Sequence, residues 1–491
     1  MPDLCDRPPA MTTALTDSTP AQIDAAVAAA AAAADTWAAG DGATRAALLR
    51  GLAEALEAER AALVPLADAE TSLGPGRLNG ELDRTAFQLR AFADRVAAGD
   101  AFAFTDDPAV AGAPPAGHPH LMRVRLPLGP VAMFAASNFP FAFSVLGGDT
   151  ASALAAGCPV VVKAHPGHPQ LSRAVAALAQ RVVAAQGLAA GVFGMVEGAG
   201  VDVGVRLVQH PDIAAVAFTG SCHGGLALRA ASQSRARPIP FYGELGSVNP
   251  VVALPAALQA NGAALAATLA GSIALGCGQF CTSPGIVLLF DDPSSAGFTD
   301  ALATALAAQT PHAMLTPGMR RNFDAGVARL RAGQGVQVLL DSGAAAEPTN
   351  AAPRPFLAVT DAASFIAQAS LHDEVFGPAA LLVRVAGADE AVAVLRAVGG
   401  SLTVTVWGAE AGDADARRIV RVAQQVAGRV LFAGVPTGVA VCAAQQHGGP
   451  FPSSTEPMST SVGLAALDRF LRPVALQDAP VWLAGRAGRP V

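Results

Sequence analysis

The run Ser272-Ile273-Ala274-Leu275-Gly276-Cys277-Gly278-Gln279-Phe280-Cys281-Thr282-Ser283-Pro284-Gly285 brings a thiol to a turn. An apolar, helix-compatible segment ends in two glycines, Cys281 follows, and a Thr-Ser-Pro-Gly turn closes the run. Glycine admits left-handed backbone and Pro284 stops a helix. The Cys281 side chain can therefore face a cleft, where a thiolate attacks a carbonyl carbon. A lone cysteine is equally at home as a small core hydrophobe, so its company decides the reading. Four other motifs carry polar residues that a buried sheet does not need. Ser137-Asn138-Phe139-Pro140 offers an amide or a helix cap. Lys163-Ala164-His165-Pro166-Gly167-His168-Pro169 ends a strand on an ammonium. Phe218-Thr219-Gly220-Ser221-Cys222-His223-Gly224-Gly225 leads into a helix whose amino terminus would receive a phosphate; no Lys-Ser/Thr follows, so it is not a P-loop. Phe241-Tyr242-Gly243-Glu244-Leu245-Gly246 sets a carboxylate between glycines, where an ordinary surface glutamate would read the same.

The rest of the chain must position these groups. Residues 1–18 read as a loose arm. Thr19-Pro20 opens an alanine-rich helix with Ile23, Val27, Ala30, Ala34 and Trp37 on one face and Gly40 at its end. Helical patterns follow near 44–59 and 79–98, then a Pro- and Gly-rich connector at 105–120 and a partly alternating, exposed strand at 121–126. From Pro130, apolar strands at 131–135, 159–163, 192–196 and 214–218 alternate with helices such as 144–156 and 169–186, which predicts a parallel sheet covered on both faces. The alternation restarts after Asn249, with strands near 249–253, 285–290 and 336–340 and a helix to about 276, predicting a second α/β domain. All four polar motifs fall at strand-to-loop edges, where doubly wound sheets bind ligands.

With 491 residues the chain exceeds a single core. It is 52% hydrophobic and 14% charged, against a usual charged share of about 25%. Gly, Pro, Arg or Asp interrupts each apolar stretch, so no membrane span is expected. The amino terminus lacks a signal-peptide pattern, and six irregularly spaced cysteines make no disulfide framework, which together predict the cytoplasm. Cys277 and Cys281 have no second Cys/His pair at ligand spacing, so no metal is expected. A net charge of −7 without a basic block argues against nucleic acid. Lys163 is the only lysine among 32 basic residues, which marks a site needing a compact ammonium.

With Gly278-Gln279-Phe280-Cys281 and, downstream, Glu374-Val375-Phe376-Gly377-Pro378, these motifs resemble the aldehyde dehydrogenase superfamily in order and spacing over nearly the whole chain. The resemblance implies an α/β fold with a Rossmann-type cofactor domain (1–109 and 129–246), an α/β catalytic domain (247–465) and a small β oligomerisation element with a tail (110–128 and 466–491). It implies Cys281 as nucleophile, Glu244 as general base and Asn138 as oxyanion donor. It puts Lys163, with His165 beside it, at the cofactor ribose and phosphate. Gly220, Ser221 and Gly225 would line the cofactor site, Glu374 and Phe376 would contact the nicotinamide-side ribose, and the protein would be a homodimer or homotetramer. The chemistry agrees: thiolate addition to an aldehyde makes an oxyanion whose collapse expels hydride and leaves a thioester, which a base-activated water hydrolyses.

The run Glu244-Leu245-Gly246-Ser247-Val248-Asn249-Pro250 departs from the frequent Glu-Leu-Gly-Gly-Lys. With residues 147–153, Gln279-Phe280-Cys281-Thr282, 434–439 and His447-Gly448-Gly449-Pro450-Phe451-Pro452, it resembles the branch of 2-oxoglutarate semialdehyde (2,5-dioxopentanoate) dehydrogenases and the related NADP-dependent fatty aldehyde dehydrogenase. The first implies a semialdehyde with a remote carboxylate, for which Arg84 or Arg90 offers a fork. The second implies a medium- or long-chain aldehyde between Phe139, Phe141, Phe143 and Phe451. NAD-preferring members place a glutamate three residues after the lysine. Here Pro166 stands there and 164–168 hold no carboxylate, so a 2′-phosphate would meet no like charge; NADP is expected to be preferred and NAD used as well. Glu244 argues against a CoA-acylating relative, and intact Cys281, Glu244, Asn138 and Lys163 argue against a catalytically silent paralogue.

Overall fold

The computed structural model describes residues 16–341 and 351–484, so most of the expected amino-terminal arm and the end of the tail lie outside the described residues. The chain forms two compact units, one with the residues up to Phe218, Leu228–Pro240 and those from Leu467 on, the other with Thr219–Ala227 and Phe241–Ala466.

In the first unit, strands Phe193–Val196, Val160–Lys163, Val131–Phe134 and Ala215–Thr219 lie in that order and run parallel. Their Val, Ala, Met and Phe side chains are nearly all buried, as strands covered on both faces require. The helix expected from 144 begins only at Gly148. Residues 139–147 stay in turns because the buried Glu81 carboxylate accepts from the backbone N–H groups of Phe141 (2.8 Å) and Ala142 (3.0 Å). A separate antiparallel sheet orders Thr105–Asp107, Leu121–Pro127 and Leu471–Gln477, and so takes in a strand before residue 110.

In the second unit, seven strands follow the order Gln337–Leu340, Phe356–Asp361, Ala379–Val385, Ile286–Phe290, Val251–Ala253, Ser401–Trp407, Ala427–Leu431; all pairs are parallel except the first. The strand Phe241–Glu244 also falls within this compact unit. The reason is local: Thr455 Oγ1 accepts from Gly243 N–H and the Ser453 carbonyl from Leu245 N–H, both at 2.8 Å.

The expectation that no apolar run could span a bilayer needs correcting, since Pro255–Gly278 is long and apolar enough, with mean hydropathy 1.4. Within it, helix Pro255–Ala274 is interrupted at Asn261 and packs Leu258, Leu269 and Ile273 into the core with Phe298 and Trp407, so it reads as a core helix.

Candidate active site

Helix Pro255–Ala274 hands the chain to a turn in which Gly276 (φ 56°), Cys277 (φ 61°) and Gly278 (φ 65°) are all left-handed. Gly278 has no substitute, because an added Cβ would lie 2.2 Å from the Gly377 carbonyl carbon. Cys277 is therefore not one helical turn behind Cys281, as its spacing suggested. It is buried in the core, and burial pushes its thiol up to about 12. Gln279, also buried, ties the turn down by donating to the Gly276 carbonyl (3.2 Å) and accepting from Leu315 N–H (3.0 Å).

The remaining constraint comes from Asn249, a fully buried residue at φ 45°. Its amide nitrogen donates to the carbonyls of Cys281 (2.8 Å) and Ser283 (2.9 Å), while its oxygen accepts from Ser247 (2.9 Å) and Thr403 (3.1 Å) hydroxyls. The left-handed backbone aims a short polar side chain across the loop. Cys281 is left half-buried.

Two groups converge on its sulfur. Glu244 ends its strand almost fully buried, and its Oε1 is 2.9 Å from His447 Nε2, which lies 3.6 Å from Cys281 Sγ. Ser461 donates its hydroxyl to Glu244 Oε2. Burial alone would raise the Glu244 pKa, but the charge and hydrogen bond of His447, with bonds from Ser461 and Cys281, outweigh it and lower the value. His447 is held in turn by the N–H it donates to Thr460 Oγ1 (2.8 Å) and by its carbonyl, which accepts from Ser461 N–H (2.8 Å). The Arg429 guanidinium, anchored on the carbonyls of Pro436 (2.6 Å) and Gly438 (3.1 Å), lies within electrostatic reach of Cys281.

In the same unit the half-buried Glu374 carboxyl fills the space beside Gly246, where a Cβ would come 2.5 Å from its Oε2. Burial raises its pKa to about 8, a bond from Ser247 N–H lowers it, and the Glu244 charge adds to the rise. Glu374 and Phe376 line a small cavity with Ser247, Gly278 and Ser283. Ser221 caps helix Cys222–Gln233: its hydroxyl accepts from Gly224 N–H (3.2 Å) and its carbonyl from Gly225 N–H (2.9 Å). Gly220 N–H donates to the Glu244 carbonyl (3.1 Å), and Phe451 is exposed.

In the first unit, Asn138 is buried just after its strand, and its carbonyl accepts from Arg77 (2.5 Å), whose guanidinium stacks 5.0 Å over the Phe139 ring. Phe139 and Phe143 lie 5.2 Å apart, with Arg84 5.9 Å over Phe143. Arg90 is corrected: it forks onto the Glu57 carboxylate at 2.7 and 2.5 Å and is committed to that pair rather than to a ligand.

Lys163 donates to the Gly198 carbonyl (2.6 Å); burial lowers its pKa and the Asp17 carboxylate raises it. Asp17 itself accepts from Ala199 (2.8 Å) and Gly200 (3.3 Å) N–H groups, so a negative charge does reach this region, from far outside 164–168. His165 cannot supply the second cation expected of it. Burial, then His168 and Lys163, hold its pKa well below the usual imidazole range, and its Nδ1 accepts from Gly167 N–H (3.0 Å).

The sequence reading missed His447, Ser461, Asn249, Arg77 and Asp17 as site residues. For His447 the signal is its place in the His447-Gly448-Gly449 run that carries the branch resemblance, but nothing in that run says that the histidine meets a carboxylate 203 positions away.

Comparison with known proteins accounts for this arrangement. Residues 9–472 match the aldehyde dehydrogenase family model. The chain is 46% identical over 442 residues to alpha-ketoglutaric semialdehyde dehydrogenase 2 of Azospirillum brasilense, covering 89% of this chain and 83% of that one. It is 41% identical over 419 residues to the alpha-ketoglutaric semialdehyde dehydrogenase of Acinetobacter baylyi, covering 85% and 78%. The crystal structure of an NAD-dependent aldehyde dehydrogenase from Sinorhizobium meliloti superposes with a TM-score of 0.78 at 22% identity, over 95% of this chain and 89% of that one. The chain thus belongs to the aldehyde dehydrogenase family and is an NAD(P)-dependent enzyme that oxidises aldehydes.

Proposed function

We propose that the enzyme oxidises 2-oxoglutarate semialdehyde to 2-oxoglutarate through a thioester on Cys281. The observation that carries the chemistry is the array of Cys281 Sγ, His447 Nε2 and Glu244 Oε1 on one line of contacts. With the neutral ring carrying its proton on Nδ1, the Nε2 lone pair takes the proton leaving Cys281, and the Nε2–H so formed donates to Glu244, whose charge balances the imidazolium. The thiolate adds to the aldehyde carbon and the carbonyl π pair moves to oxygen. The Cys281 N–H stabilises that oxyanion, such a donor typically contributing about 3–4 kcal/mol. Collapse of the oxyanion breaks the C–H bond with loss of hydride and leaves the thioester. Glu244 then takes a proton from water as it attacks, and the second collapse returns the Cys281 thiolate.

The residues present fit NAD(P). The helix at Cys222 begins behind exposed Gly220 and Ser221, Lys163 supplies an ammonium, and Glu374 a half-buried carboxyl suited to a hydroxyl. When bound, NAD(P) supplies the hydride acceptor. The lack of a carboxylate in 164–168 supports NADP over NAD. His165 adds no charge and Asp17 opposes, so the preference rests on Lys163 and is modest.

The semialdehyde is favoured over a fatty aldehyde by the two similar relatives named for it and by Arg77 and Arg84, which stand over Phe139 and Phe143 and offer a carboxylate a cationic partner. The test is kcat/KM for 2-oxoglutarate semialdehyde against decanal; a higher value for decanal would overturn the substrate assignment. A cytoplasmic location agrees with five free cysteines among the described residues. A homodimer or homotetramer agrees with the Leu471–Gln477 strand at the edge of its sheet; a monomeric mass in solution would exclude it.

A further inference from the structure

We propose that Cys281, His447 and Glu244 also bind a single zinc ion, which closes the nucleophile reversibly; only its effect on turnover rests on the catalytic reading above. Three kinds of donor meet here from three distant parts of the chain. One ligand atom from each, a thiol sulfur, an imidazole nitrogen and a carboxylate oxygen, lies within 4.8 Å of the other two. Zinc takes this donor set, and three protein ligands leave the fourth position for water.

The separations can be compared with a tetrahedron. Usual Zn–S, Zn–N and Zn–O lengths put sulfur and nitrogen about 3.6 Å apart and nitrogen and oxygen about 3.4 Å apart. The observed Cys281 Sγ to His447 Nε2 distance is 3.6 Å, and His447 Nε2 to Glu244 Oε1 is 2.9 Å. The first edge needs no movement, and the second needs the carboxylate to draw back by about half an ångström.

Charge favours the ion as well. A thiolate, a carboxylate and a neutral imidazole sum to −2, which one dication cancels, in a place where Glu244 and His447 are cut off from water. Two features limit the affinity. The Arg429 guanidinium lies within electrostatic reach of Cys281 and repels a cation. His447 Nδ1 is buried without a hydrogen-bond partner, so the ring lacks the outer acceptor that usually orients a metal-bound histidine. The site should therefore exchange zinc with a chelator, unlike a structural zinc centre.

The experiment titrates chelator-treated full-length enzyme with Zn2+ by calorimetry and with Co2+ by absorbance, without aldehyde or nicotinamide. One ion per chain is expected, with a thiolate-to-cobalt charge-transfer band. Cys281→Ser should abolish the band, and His447→Ala should weaken zinc binding by at least about 100-fold, at or beyond the 10–100-fold typical of losing an outer partner. Cys442→Ser, which removes the exposed thiol, should change neither. A band that survives Cys281→Ser, or zinc binding unchanged in His447→Ala, would overturn the inference; circular dichroism excludes misfolding as the cause of a loss. Turnover in metal-free buffer is scored separately. An active enzyme that binds no zinc refutes this inference alone, and a zinc-binding enzyme that cannot oxidise aldehydes refutes the proposed function alone.

Discussion

Replacing Asn249 with alanine should damage both stability and rate, and the structure allows the two to be separated. The side chain makes five hydrogen bonds from a fully buried position: two to the carbonyls of Cys281 and Ser283, a longer one to the Ser247 carbonyl (3.3 Å), and two from the Ser247 and Thr403 hydroxyls. The hydroxyls can rotate to other acceptors, but the two carbonyls keep their direction, and each buried group left unpaired costs about 1–3 kcal/mol. Alanine must also hold φ near 45°, which costs a further ~1–2 kcal/mol. Asn249→Ala should therefore lose about 3–8 kcal/mol in urea unfolding. Asn249→Gly should lose about 1–2 kcal/mol less, since glycine accepts the left-handed backbone. The rate should fall in both alike, by about 100-fold, because the carbonyls that fix the Cys281 loop are released in each and an ångström of misplacement has that effect. Equal stability of the two variants would refute the backbone argument. An Asn249→Gly enzyme with unimpaired kcat would refute the claim that this amide positions the nucleophile.

His447→Ala should slow alkylation of Cys281 by iodoacetamide and lower kcat by about 100- to 10,000-fold, the range for a lost proton acceptor. It should also move the acidic limb of the pH profile upward, because the charge and hydrogen bond of His447 no longer hold the Glu244 pKa down. Glu374 titrates near 8, above the unfolded carboxyl, so the folded state keeps its proton longer and its stability is lost as pH rises towards 8. Glu374→Gln should remove that loss, read as a thermal midpoint that falls less between pH 5 and pH 9 than in the parent enzyme. Asp17→Asn should raise the ratio of kcat/KM for NADP to that for NAD, because it removes the carboxylate beside Lys163; an unchanged ratio would separate Asp17 from cofactor choice.

What could be read in the sequence was whatever local chemistry decides. The uninterrupted Val160-Val161-Val162 and its neighbours can only be buried on both faces, so parallel sheets followed. Gly276, Gly278 and Pro284 marked the Cys281 turn because few other residues adopt that backbone. What escaped depends on pairing across long separations. Arg90 looks like a spare cation until Glu57 meets it from another helix, and Pro166 suggested a region free of carboxylates until Asp17 arrived from the amino-terminal side. Cys277 seemed to lie on a helix that had in fact already ended at Ala274. Most consequential was His447, whose contact with Cys281 and Glu244 exists only once the second unit has folded.

The most direct measurement of the mechanism is a single rapid-mixing experiment on Glu244→Gln with saturating aldehyde and NADP. Cys281 can still add to the aldehyde and hydride can still leave, while water at the thioester has lost its base. Reduced nicotinamide should therefore appear in a burst of at most one equivalent per chain and then stall. Intact-mass analysis should find the acyl group on the enzyme, and peptide mapping should find it on Cys281. Steady turnover at the parent rate, or an acyl group on Cys277, would contradict the assignment of nucleophile and base.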